Sequence, residues 1–127
     1  MSTGTTPETG TIVWQDLTVP NAEEIQRFYS EVIGWKTTPH NMGDYNDYNV
    51  QTPDSGKTVA GICHARGTNA NVPAQWLLYV MVEDVEACAA KCTERGGTVV
   101  DGPRLMGKDK FCVLQDPAGA MIAIMGG

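Results

Sequence analysis

From Val13 to Val19 the chain has the two-residue period of a strand, with Val13, Leu17 and Val19 on one face and Trp14, Asp16 and Thr18 on the other. Asn21 stands where a helix N-cap belongs, Ile25, Phe28, Tyr29, Val32 and Ile33 recur at helical spacing, and Gly34 supplies a stop. The plan returns later. An apolar run from Trp76 to Val82 leads to Asp84 as a cap, then Val85, Cys88, Ala89 and Cys92 on one helical face, then Gly96 and Gly97.

The two occurrences keep a constant register. Val19 and Val82, Asn21 and Asp84, and Gly34 and Gly97 are each 63 positions apart, as are Gly56 and Gly119 in "PDSGKTVAGI" and "DPAGAMIAIM". Three further extended segments follow each helix: 36–41, 47–52 and 58–64 in the first half, and 98–101, 110–115 and 121–125 in the second. This order predicts an α+β fold of two βαβββ modules, residues 11–64 and 74–127, in a single domain spanning 11–127. The modules are expected to pair into an incomplete eight-stranded, barrel-like sheet, each helix covering one face and the other face lining a central pocket.

Composition narrows the partners. Nine Lys and Arg against 15 Asp and Glu, a net charge of -6, leave no basic cluster for a nucleic-acid backbone or an anionic membrane. No apolar run is long enough to span a bilayer, and "MSTGTTPETG" lacks the basic and apolar regions of a signal peptide, so a cytoplasmic location is expected. Those first ten residues, without apolar periodicity, are expected to be a disordered tail. The four cysteines, Cys63, Cys88, Cys92 and Cys112, show no zinc-site spacing and read as reduced buried thiols. By alternation Cys63 is expected to face the helix.

The segments "DLTVPNAEEIQRFYSEVIGW", "VEDVEACAAKCTERGGTV" and "VLQDPAGAMIAIM" resemble, in order and spacing, the vicinal oxygen chelate superfamily of glyoxalase I, bleomycin-resistance proteins and extradiol dioxygenases. The resemblance implies metal ligands on the first and last strand of each module. The corresponding residues here are Trp14, Leu77, Ala123 and Ala60 (or Gly61), none of which can coordinate a divalent ion. The expectation is therefore a metal-free branch with no cofactor.

Alternation then supplies the candidate pocket: Trp14, Asp16 and Thr18 on the first strand, Leu77, Tyr79 and Met81 on its repeat, Ile62 and His64 on the fourth strand, and Ala123 and Met125 on the last. Asp16 and Tyr79 are repeat equivalents and the expected polar anchors of an apolar or aromatic ligand; Trp14 either lines or fills the space beside them. His64 is a candidate base at the rim. His40 reads as a loop residue and "MGKDKF" as a polar hairpin without a ligand role.

Three functions fit. The leading one is a small-molecule-binding protein that sequesters a drug or metabolite. The second is a lyase, isomerase or hydroxylase-like enzyme moving protons through Asp16, Tyr79 or His64. The third is a dimeric interaction module, since members of the superfamily often form homodimers.

Overall fold

The computed structural model describes residues 6–127. Among these the chain is α+β and runs β1 (Ile12–Val19), α1 (Ala22–Ile33), β2 (Lys36–Asn41), β3 (Asn46–Gln51), β4 (Thr58–His64), β5 (Trp76–Val82), α2 (Val85–Glu94), β6 (Thr98–Met106), β7 (Asp109–Gln115) and β8 (Met121–Gly126). This is βαβββ twice. The chain divides into two compact units, Trp14–Leu77 and Leu78–Gly127, the latter joined by the N-terminal stretch up to Val13.

In the first unit the strand order is β2-β3-β4-β1. β2 and β4 both run antiparallel to β3, while β1 runs parallel to β4 with Leu17 beside Ile62 and Thr18 beside Cys63. Leu17, Val19, Val50, Ala60 and Ile62 form one buried cluster with Ala22 of α1, and Ile25 and Tyr29 of the same helix pack against it. Each buried Leu, Val or Ile side chain contributes about 1.5–3 kcal/mol, which holds the helix to this face. Trp76 joins the same unit, its indole N–H donating to Tyr29 Oη at 3.1 Å.

The helix ends follow local chemistry. Asn21 does not cap α1 through its side chain; Nδ2 donates instead to Glu24 Oε1 at 3.1 Å. Glu23 and Glu24 sit in the first turn, where carboxylates suit the helix dipole. Gly34 closes the helix at φ +91°, its N–H donating to Ser30 O at 3.0 Å. In α2 the predicted cap is made, with Asp84 Oδ1 accepting from the Ala87 N–H at 3.0 Å.

The second unit repeats the topology as β5-β8-β7-β6, with β5 parallel to β8 and the remaining pairs antiparallel. Val85 and Ala89 of α2 pack with Cys112 and Ile124, against which Val80, Val82, Val99 and Leu114 also lie. The N-terminal stretch belongs here because Gly10 N–H donates to Met81 O at 2.8 Å and Met81 N–H to Thr11 O at 2.9 Å. Of the predicted tail, residues 1–5 lie outside the described residues; residues 6–10 carry no helix or strand.

β6 differs most from expectation. The pattern predicted a strand ending at Asp101, yet it continues to Met106 through two register shifts against β7, between Val99 and Asp101 and between Asp101 and Arg104. Gly102 permits this at φ +101°, where a Cβ would lie 2.7 Å from the Phe111 carbonyl oxygen. Among the described residues no helix is long and apolar enough to cross a membrane.

Candidate functional site

On the face of the first unit turned away from α1, β1 presents Trp14, Asp16 and Thr18 beside Gly61 and Cys63 of β4. The Trp14 indole N–H donates to Asp16 Oδ2 at 3.3 Å. Both side chains lie across Gly61, where a Cβ would already touch Asp16 Cβ at 3.4 Å and Trp14 Cζ2 at 3.5 Å. A carboxylate is expensive to take from water without donors, so the indole bond is part of what makes Asp16 tolerable on this face.

Two placements, those of Ile62 and Cys63, correct the expectation from alternation. Ile62 has no exposed surface and belongs to the α1-side cluster, because parallel pairing sets it beside Leu17 rather than Asp16. His64 closes β4, its backbone paired with Val19. Its Nδ1 is 2.8 Å from Asn46 O and 3.6 Å from Asp47 Oδ1, and its ring meets Tyr45 edge-on at 5.3 Å. Cys63, expected to face the helix, instead joins the Asp16 row. Its thiol is pushed far up, first by burial, then by the charges of Asp16 and Asp47 and a hydrogen bond to Asp47. That thiol stays protonated and is no nucleophile. Asp47, only 8 % exposed, also accepts the His64 backbone N–H at 2.8 Å.

The equivalent face of the second unit, turned away from α2, carries Tyr79 and Met81 of β5 beside Ala123 and Met125 of β8. Four predicted residues thus share one face. The register adds Phe111 and Val113 of β7 beside Met125 and Ala123, and Arg104 of β6 beside Phe111. The Tyr79 and Phe111 rings are 6.3 Å apart, and the Arg104 guanidinium lies over Phe111 at 4.3 Å. Arg104 is gripped by Asp101 in a fork, Nε to Oδ1 at 3.2 Å and Nη2 to Oδ2 at 3.0 Å. Sequence reasoning missed Arg104, Asp101 and Phe111; the available signal was the acid–base pair three apart across Gly102 and Pro103.

The positions where the resemblance implies a metal do not fit one. Trp14 offers only an N–H donor, Leu77 and Ala123 are buried and apolar, and Ala60 lies in the α1-side cluster. Among the described residues no group of three or more His, Cys, Asp or Glu side chains is placed to hold a metal ion. The second unit also has a cleft of about 630 Å³ at the end of β5, lined by residues including Pro7, Thr9, Met81, Glu83, Lys108 and Asp109. Of the predicted site residues it takes in Met81. Its lining carries both charges, Glu83 and Asp109 with Lys108.

The pattern of the family described as "Glyoxalase-like domain" matches residues 12–125. CFP32 of Mycobacterium tuberculosis (strain CDC 1551 / Oshkosh), named as a glyoxylase, is 30% identical over 119 residues, covering 93% of this chain and 44% of the relative. "Anthracycline biosynthesis protein DnrV" of Streptomyces peucetius is 27% identical over 128 residues, 91% of this chain and 46% of its own length. The chain thus spans less than half the length of these curated relatives. Among solved structures, a methylmalonyl-CoA epimerase in complex with methylmalonyl-CoA and NH4+ has a TM-score of 0.52 at 16% identity, covering 93% of this chain and 94% of that one. A glyoxalase/bleomycin resistance protein/dioxygenase superfamily member from Vibrio splendidus 12B01 has a TM-score of 0.53 at 14% identity, covering 88% and 95%. The solved structures show the fold, and the family match over residues 12–125 together with the 30%-identical relative shows that the chain belongs to the glyoxalase-like domain family.

Proposed function

We propose that the chain is a small-molecule-binding member of its family that works without the usual metal centre and sequesters an apolar or aromatic drug or metabolite. The observation that carries this reading is the Trp14 indole turned onto Asp16 at 3.3 Å, a hydrogen-bond donor and an aromatic wall where the resemblance implies a metal ligand. On the first unit's face Asp16 serves as polar anchor with Trp14 and Thr18 as walls; on β5 and β8 Tyr79 serves as anchor with Leu77, Met81, Ala123 and Met125 as walls. The anthracycline-biosynthesis relative supports a flat aromatic ligand; the CoA ester in the epimerase complex is the competing ligand class. A cytoplasmic homodimer remains part of the proposal.

The enzymatic alternative draws less support. Proton transfer through Asp16, Tyr79 or His64 needs a group turned to the ligand, and the His64 Nδ1 already lies 2.8 Å from Asn46 O. A thermal-shift screen against aromatic polyketides, catechols, CoA esters and dicarbonyl–thiol adducts tests the reading. Stabilisation without turnover supports it, since a ligand at about 100 times its Kd adds about 2.7 kcal/mol. Turnover of the stabilising compound would replace it with an enzyme.

A further inference from the structure

The Arg104–Asp101 fork on β6 has more organisation than a surface ion pair needs. Its two side chains are 25 % and 11 % exposed, so the pair is largely withdrawn from water while part of the Arg104 side chain still meets solvent. The fork fixes the guanidinium plane, and the Phe111 ring, itself 3 % exposed, supports that plane from beneath at 4.3 Å. A planar cation so braced has already lost its rotamer freedom, so stacking a second flat π-system against it costs little further ordering. Tyr79, Met81 and Met125 share the face. A phenol, two thioethers and a stacked guanidinium favour flat, polarizable ligands over bulky saturated ones. Because Asp101 neutralises most of the charge, shape and π-character weigh more than net ligand charge.

We propose that Arg104, held by Asp101 and Phe111, is the specificity-determining residue of this face and selects flat aromatic ligands. The proposal rests on the small-molecule-binding reading above. Its rival is an ion pair that only staples the β6 bulge, since Asp101 and Arg104 flank Gly102.

The experiment compares 2-naphthoate with its saturated analogue decahydro-2-naphthoate by calorimetric titration of the full chain and of Arg104→Lys. Lysine keeps the charge but loses the plane and the fork. The expected result is that the parent binds 2-naphthoate about tenfold more tightly than the analogue and that Arg104→Lys removes the preference. In spectra of the parent, the Arg104 Nε–H resonance should move with 2-naphthoate and stay with the analogue. This arm needs no variant to fold. Equal binding of both probes, a preference surviving in Arg104→Lys, or an unmoved Nε–H overturns the proposal and leaves the binding reading intact. Failure of the parent to bind either probe sinks that reading, and this one with it.

Discussion

Replacing Ile62 by Ala separates a core position from a pocket wall. Ile62 has no exposed surface and packs among Leu17, Val19, Val50, Ala60 and Ala22. Three carbons leave on truncation, about 2.4 kcal/mol at ~0.8 kcal/mol for each, and the unfilled space adds roughly another 1 kcal/mol. The expected loss is therefore about 3–4 kcal/mol. At a typical unfolding entropy per residue this chain loses about 4 °C of Tm per kcal/mol, so the midpoint should fall by on the order of 12–16 °C. Urea unfolding followed by far-UV circular dichroism measures the loss, and a ligand titration of the folded variant measures the rest. Affinity should hold within about twofold, because the side chain points toward α1. A stability loss under about 1 kcal/mol together with a large change in affinity would refute the placement of Ile62 in the core.

The caps of the two helices should respond unequally. Asp84→Ala removes an acceptor from the Ala87 N–H and should cost about 1 kcal/mol, whereas Asn21→Ala, with no backbone cap to lose, should cost only a few tenths; equal losses in chemical denaturation would contradict the assignment. At Gly97 a Cβ would stand 2.6 Å from Cys92 Sγ and 2.8 Å from the Gln115 carbonyl oxygen, so Gly97→Ala should cost about 1–3 kcal/mol. Adding Cys92→Ala should recover only part of it, and full recovery would show the backbone contact to be harmless. The Cys112 thiol is pushed up to about 11, by burial first and then by the charges of Asp101 and Cys92. The folded chain keeps this proton while the unfolded chain sheds it near an ordinary thiol value, so stability falls as pH rises from about 9 to about 11. Unfolding of Cys112→Ala across that window should show a shallower decline than the parent; parallel curves would contradict the shift.

Much of the architecture was legible because both modules obey one register, and caps, stops and turns at matching positions constrain each other. β1 read correctly because its alternation is clean and one face meets a helix. β4 misled because the register left Ala60 or Gly61 open and Ile62 was placed with Ala60 on the pocket face, whereas the face of Ile62 is set by its parallel partner Leu17, a long-range pairing that local alternation does not report. The Arg104 stack was hidden for a different reason. "DGPRLM" carries strong turn residues, yet the strand absorbs Gly102 and Pro103 as an irregularity opposite β7 and delivers Arg104 to Phe111. Turn propensity lost there to the pairing energy of a nine-residue strand.

The central claim is ligand binding without a metal. Its most direct test is the affinity of the most strongly stabilising compound from the screen, measured on the purified chain before and after exhaustive chelation, then with Zn2+, Ni2+ or Mn2+ added back. Unchanged affinity throughout is the predicted result; loss on chelation with recovery on adding one of these ions would contradict it.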